Sequence, residues 1–311
     1  MSSTTIAKSS RHTRIALFVA SLLAVSSGVS AADAPKSDFT YTGHIDLVSA
    51  YYLRGATTTY GNVKPGLGNE GADAPESDKP VFQWGADVSH TSGFYAGYWA
   101  SFINYSYKRL GESYDYYASG QTPPADFSFQ KDKSIENDFY GGYNGAIGDF
   151  GYTVGLTGYV YYNGKHSNAL ETKLAASYAG VTISAQTLLN DTVWGNKGDT
   201  YFLANYSYVL PYSITASASL GAYYYTKEGK YLGTHDPLSG ATCPTDTAFV
   251  VNGCFSGAAP VQGGYRHLIL GVSQPIGESG VTWALQGILG GVNRYGIRQG
   301  NRIFGSVSYG F

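Results

Sequence analysis

From Phe39 onward the chain alternates apolar and polar residues without slipping over 39–54: Phe39, Tyr41, Gly43, Ile45, Leu47, Tyr51 and Leu53 fall in one phase, and Thr40, Thr42, His44, Asp46 and Arg54 in the other. A period of two is the signature of a strand. Strands in soluble domains usually stop near 5 or 6 residues, whereas a tilted membrane strand needs about 9–11. The same alternation recurs at 81–90, 94–105, 136–146, 151–162, 169–179, 181–189, 199–210, 213–225, 264–274, 281–290 and 301–311, which predicts twelve strands, with ten to fourteen compatible with the pattern.

The connectors alternate in length as well. After odd strands come 55–79, 106–135, 163–168, 190–198, 226–263 and 291–300; after even strands come only 91–93, 147–150, 180, 211–212 and 275–280. Short turns at one rim, long loops at the other and an even strand number describe a bacterial outer-membrane barrel, with both termini in the periplasm and the long loops outside. Composition agrees. Only 14% of residues are charged, against roughly 25% in an ordinary soluble domain, while 41 are Gly and 29 are Tyr. Disordered and coiled-coil classes are thereby excluded. Past the N-terminal region no apolar run approaches the ~18 residues of a membrane helix.

That N-terminal region is predicted to be a cleaved signal peptide, residues 1–31: Arg11 and Arg14 precede an apolar stretch at 15–25, which ends in small residues at Val29, Ser30 and Ala31. The remainder, 32–311, is read as one barrel domain. Cleavage removes Lys8, Arg11 and Arg14 and no acidic residue, moving the net charge from −2 to −5, which offers no footprint for nucleic acid.

The more apolar phase of each strand should face lipid, for example Phe82, Trp84, Ala86 and Val88, or Ile303, Val307, Tyr309 and Phe311. Those twelve faces carry one charge, Arg266, at the loop end of its strand, where an outward cation costs little. The third strand is ambiguous, because Tyr95, Trp99 and Ile103 are as apolar as Phe94, Tyr98 and Phe102. A secreted β-sandwich would also alternate, but its solvated face should be rich in Lys, Glu and Asp. Here the polar phase is mostly Thr, Ser, Gly, Gln and Tyr.

The segments Leu47-Val48-Ser49-Ala50-Tyr51-Tyr52-Leu53-Arg54-Gly55, Pro80-Val81-Phe82-Gln83-Trp84-Gly85-Ala86-Asp87, Ser92-Gly93-Phe94-Tyr95-Ala96-Gly97-Tyr98-Trp99-Ala100-Ser101 and Glu136-Asn137-Asp138-Phe139-Tyr140-Gly141-Gly142-Tyr143 resemble the TorF family of outer-membrane porins. The likeness is good over 39–162 and looser beyond, and the terminal Val307-Ser308-Tyr309-Gly310-Phe311 looks like a barrel-assembly signal. Two departures are Ala50, where family members often carry an acidic or polar residue, and long insertions at 55–79 and 226–263. The resemblance implies a porin-like transport role and brings no established substrate or site.

If the polar phases line a lumen, they contribute His44, Asp46, Asp87, Asp138, Glu171, Lys173, His267 and Arg302 as pore-lining candidates, four acids against two fixed cations, which suggests a weak cation preference. Lumen charges also pair off as internal salt bridges, and both readings stay open. Twelve strands at ~4.8 Å spacing and ~40° tilt enclose a cylinder of about 25 Å, which side chains and an inward loop could narrow to small-solute size. Cys243 and Cys254, both in the fifth long loop, are expected to form a structural disulfide, since no His sits near them at metal-ligand spacing. The glycines Gly141, Gly142 and Gly145 are read as allowing curvature or close neighbours rather than cradling phosphate.

Together these features predict an all-β, transmembrane antiparallel barrel in the outer membrane of a Gram-negative bacterium, acting as a narrow passive channel for small hydrophilic solutes. No cofactor, metal or catalytic residue is expected. Expected partners are outer-membrane lipid, the solutes or ions themselves, and periplasmic chaperones and assembly machinery during biogenesis; a homo-oligomer is compatible with the apolar outer face. Two other classes remain, a closed barrel whose loops serve as a receptor or adhesin, and a barrel enzyme acting on lipid or peptide.

Overall fold

The computed structural model describes residues 37–58, 74–121, 133–236, 239–242 and 262–311; the predicted signal segment and both cysteines, Cys243 and Cys254, lie outside the described residues. The strands are β1 (Phe39–Val48), β2 (Val81–His90), β3 (Phe94–Ile103), β4 (Ser134–Ile147), β5 (Phe150–Tyr161), β6 (Ala169–Tyr178), β7 (Val181–Leu188), β8 (Thr200–Val209), β9 (Thr215–Tyr224), β10 (Gly263–Pro275), β11 (Val281–Gly290) and β12 (Arg302–Gly310). Every strand pairs antiparallel with its sequence neighbours and β1 closes on β12, with His44 opposite Gly310 and Val48 opposite Ser306. Closure satisfies the backbone of every strand and leaves no edge, the condition for a sheet to cross hydrocarbon.

At one rim the turns are tight. Ala179 and Gly180, at φ 48° and 83°, join β6 to β7, with Tyr178 paired directly to Val181. Positive φ at both central residues matches the twist of an antiparallel pair. Long connectors gather at the other rim, and one of them holds a helix, α1 (Lys108–Ala118). No helix among the described residues is long and apolar enough to cross a membrane.

The outer phase is apolar around the circumference: Ile303 is 77% exposed, and Phe94, Val154, Ile183, Phe202, Leu270 and Leu285 are exposed as well. A soluble protein does not keep so continuous an apolar band in water. One polar residue in this phase is neutralised locally: Asn137 accepts a hydrogen bond from the Tyr98 hydroxyl at 2.8 Å and donates to the carbonyls of Ile135 and Val160.

Three expectations are corrected or resolved. The first strand stops at Val48 rather than running to Arg54, because Leu53–Gly55 forms a 3₁₀ turn in which Arg54 and Gly55 take φ of 49° and 71°. Arg266 does not face lipid. The β9–β10 register slips between Tyr265 and His267, and the bulge brings both Arg266 and His267 to buried positions, while Tyr265 stays exposed. In β3 the outward residues are Phe94 and Phe102, and Trp99 and Ile103 are buried on the inner side, where Tyr51 meets the Trp99 ring edge-on at 5.4 Å.

Candidate functional site

The inner side of the barrel divides into two halves. Towards the short turns the inward residues are small and polar. Asp87, Asn144, Gln186, Asn205, Ser219 and Gln286 point inward and are half-exposed, whereas Thr153, Ser177, Ser273, Thr282 and Ser308, nearer the short turns, are buried. The Tyr140 hydroxyl donates to Asp87 Oδ1 at 2.6 Å. Inward glycines give the rings room: a methyl on Gly97 would lie 2.3 Å from the Tyr140 ring, one on Gly85 2.4 Å from His44 Nε2, and one on Gly221 2.4 Å from His267 Nε2. Gly142 and Gly145 likewise have close neighbours, the Val154 carbonyl and the Tyr152 ring.

Towards the long loops the lumen is crossed and stoppered. After β1 the chain turns into the barrel. Tyr51 pairs with Ser77, the Thr57 and Thr58 amides donate to Gln299 Oε1 at 2.9 and 3.0 Å, and Gly55 lies against His267 so closely that a methyl there would sit 2.8 Å from His267 Cβ. This path carries Arg54 across the lumen to the wall formed by β5, β6, β8 and β9. There its guanidinium meets Glu171 with two hydrogen bonds, Nη1 to Oε1 at 2.9 Å and Nη2 to Oε2 at 2.5 Å, and donates to the hydroxyls of Tyr223 and Tyr159 at 2.9 and 3.2 Å. The cation also lies 4.8 Å from the centre of the Tyr201 ring. Arg266, turned inward by its bulge, donates to the Arg54 carbonyl at 3.0 Å.

Above this cross-bar an aromatic core fills the mouth: Tyr105, Tyr107 and Leu110 from the β3–β4 connector, Val193 from β7–β8, Tyr231 and Leu232 from β9–β10 and Tyr295 from β11–β12, packed on Tyr159, Tyr161 and Leu188 of the wall. Polar groups inside it are tied in. The Tyr107 hydroxyl donates to Glu76 Oε1 at 3.1 Å, Trp194 Nε1 to the Ser167 carbonyl at 2.7 Å, and Arg294 pairs with Asp199. Among the described residues a cavity of about 60 Å³ remains between cross-bar and core, bordered by Arg54, Glu76, Tyr107, Tyr159 and Trp194, with room for a few waters.

Helix α1 closes the stopper from outside. Gly111 is required because the Lys165 carbonyl would lie 2.1 Å from any Cβ there. His166 Nε2 sits 2.6 Å from Asp115 Oδ1, Lys165 Nζ 3.1 Å from Asp115 Oδ2, and His166 stacks on Tyr231, whose ring also meets Tyr114 and Lys230. Partial burial pushes the Asp115 carboxyl up, but the hydrogen bonds and charges of His166 and Lys165 outweigh it and hold it below its ordinary 3.8. A depressed acid stabilises the docked state above its unfolded value and loses that contribution as pH falls through the folded value. Undocking of α1 is therefore expected below about pH 3.8, read as accelerated hydrogen exchange in 108–118, with the acid-induced change absent in Asp115→Asn.

The eight candidates fall into distinct settings. His44 and Asp46 are buried and paired with each other, Nδ1 to Oδ2 at 2.7 Å. Glu171 carries Arg54, and Asp138 lies half-buried next to buried Glu136 on the same face. Lys173 is buried one step below Glu171 on β6, His267 takes or gives a hydrogen bond with the Tyr201 hydroxyl at 2.6 Å, and Arg302 is exposed at the start of β12, donating to the Asn301 carbonyl. Sequence reading did not single out Glu76, Glu136, Asp199 or Arg294, and it assigned Arg54 to a strand and Arg266 to the lipid. Signals existed for three of them: Glu136 shares the phase of Asp138, Gly55 marks a turn at Arg54, and the adjacent polar pair Arg266-His267 breaks an otherwise regular alternation. Among the described residues no group of three His, Cys, Asp or Glu is placed to hold a metal ion.

A closed, apolar-skinned barrel with a polar inner wall and a loop-filled mouth defines the class, a transmembrane β-barrel. Within it, the chain belongs to a bacterial family of unknown function, Gcw_chp, which matches residues 70–265. No curated protein matches. Among solved structures it is similar to the Salmonella typhi outer membrane phospholipase dimer with bound calcium, at 12% identity and a TM-score of 0.36, covering 88% of this chain and 90% of that one. It is also similar to Salmonella typhi OmpF in complex with daunomycin, at 10% identity and TM-score 0.36, covering 88% and 97%, and to Acinetobacter baumannii OccAB3, at 7% and 0.34, covering 88% and 65%. Likeness at this level concerns the fold alone.

Proposed function

We propose that the protein is an outer-membrane porin that passes small hydrophilic solutes through a narrow constriction, with a weak preference for cations and no chemistry of its own. The observation that carries this reading is the set of half-exposed polar side chains on the inner wall between the short-turn rim and Arg54, enclosed by an apolar outer belt. The resemblance to TorF porins supports it. The inward acids Asp46, Asp87, Glu136, Asp138 and Glu171 outnumber the inward cations Arg54, Lys173, Arg266 and Arg302 by one, and rings of charge set selectivity. Asp87, half-exposed on the short-turn side of the cross-bar, is the acid best placed to act on passing ions.

Planar-bilayer recording of the refolded protein under a salt gradient tests the reading. Small, stable steps with a cation-leaning reversal potential are expected, and Asp87→Asn should move that potential towards zero. Silence from protein shown to be folded and inserted would sink the channel reading. It would favour instead a closed barrel that presents its loops to a surface partner, a function the aromatic stopper of the mouth also suits.

A further inference from the structure

We propose that the Glu171 cage is a binding site for guanidinium-bearing cations, which the chain's own Arg54 occupies in this state. The inference deepens the porin reading by naming a solute class, and it rests on that reading only for how the solute arrives. Every group of the cage comes from the barrel wall: Tyr159 from β5, Glu171 from β6, Tyr201 from β8 and Tyr223 from β9. The occupant alone comes from a connector. The receptor is thus built by paired strands, and its present ligand is attached through a turn.

The cage is specific in shape as well as charge. Two carboxylate oxygens and two hydroxyl oxygens receive the two Nη groups of one planar fork, at 2.5–3.2 Å. The Tyr159 hydroxyl also donates to Glu171 Oε2 at 2.9 Å, which fixes the carboxylate in that plane. The Tyr201 ring, 4.8 Å from Cζ, and the Tyr223 ring, at 5.9 Å, supply cation–π attraction to a delocalised cation. Glu171 is fully buried, so an occupant is held away from water. A guanidinium fits such a fork with bidentate geometry, whereas an ammonium is a compact point charge that cannot meet all four oxygens at once. A tethered Arg54 competes at an effective concentration of millimolar or above, so a free solute displaces it only when abundant.

Arg54→Gly empties the cage and keeps the turn, because glycine takes φ 49° without strain and the carbonyl tie to Arg266 involves only backbone at position 54. The probe is ethylguanidinium, with ethylammonium at equal ionic strength as control, and the readouts are the melting temperature in detergent and current block in the bilayer. Expected is a saturable rise in melting temperature and a block in Arg54→Gly, both absent in Arg54→Gly/Glu171→Gln, with the wild type needing at least tenfold more probe. If Arg54→Gly does not refold, Arg54→Lys replaces it, and ethylguanidinium should then compete at concentrations below those the wild type requires. Equal responses with and without the Glu171→Gln change, or equal binding of ethylammonium, would overturn the assignment. Because the melting measurement needs no conduction, a silent channel and an empty cage are told apart.

Discussion

Glu171→Leu is expected to release the cross-bar. The substitution leaves the Arg54 guanidinium in a site where its side chain is only 7% exposed, beside three tyrosines and without the carboxylate that pairs with it. Removing one partner of a buried ion pair costs about 3–5 kcal/mol, most of it the desolvation of the charge left behind. The strands have no need to bear that cost. Arg54 sits in a short turn between two anchored stretches, Tyr51 paired with Ser77 on one side and Thr57 and Thr58 tied to Gln299 and Gly300 on the other, and the turn itself is held by the Arg266 bond to the Arg54 carbonyl and by the Gly55 and Ala56 amides, together worth about 2–4 kcal/mol. The cheaper response is for that turn to open between its anchors and take its cation towards water. Hydrogen exchange of the Gly55 and Ala56 amides, which close the 3₁₀ turn, should therefore accelerate by at least a hundredfold, while single-channel conductance rises only modestly as long as the stopper fills the mouth. In Arg54→Leu/Glu171→Leu the pair is replaced by apolar groups, and such replacements are often neutral. That double variant should keep the exchange protection that Glu171→Leu loses. A barrel that melts early in Glu171→Leu, with the turn still protected, would mean that the pair holds the wall rather than the connector.

The barrel itself was legible because its strands obey one rule, alternation with lipid on one side, and twelve repetitions of that rule leave little freedom. The interior was legible only in composition. His44, Asp46 and Lys173 lie inside as their phase required, but which charge meets which depends on contacts far apart in sequence, such as Arg54 with Glu171 across 117 positions. Where the alternation was misread, a local backbone feature had overridden it: left-handed residues at Arg54 and Gly55 turned a predicted strand into a cross-bar, and a bulge rotated Arg266 from the lipid phase to the inside. The doubtful inner face of β3 has the same origin. Trp99 and Ile103 are apolar because they face an apolar stopper, which exists only when connectors from different parts of the chain meet.

That stopper should unfold separately from the barrel, and Tyr107→Gly is expected to show it. Tyr107 is buried, its ring contacts Tyr105, Tyr161 and Trp194, and its hydroxyl reaches Glu76. Deleting a buried aromatic side chain costs about 3–5 kcal/mol. The backbone offsets part of this, because Tyr107 sits at φ 59°, a conformation that costs a non-glycine residue about 1–2 kcal/mol and glycine almost nothing. A net loss of about 1–4 kcal/mol follows, enough to speed local opening by roughly 5- to 900-fold. The loss falls mainly on residues outside the strands, 104–118 with Tyr231 and Leu232 behind them, and touches the wall only at Tyr161, the last residue of β5. Exchange protection should drop there and in the β9–β10 connector, while amides of β4 and β5 exchange as before and the β signal melts at an unchanged temperature. Conductance should rise as well, and by more in combination with Glu171→Leu than the two single effects multiplied, since cross-bar and stopper lie in series along one path. Matched loss of protection in strands and connectors would show instead that mouth and wall fold as one unit, and that the lumen cannot be opened from the loop side without losing the barrel.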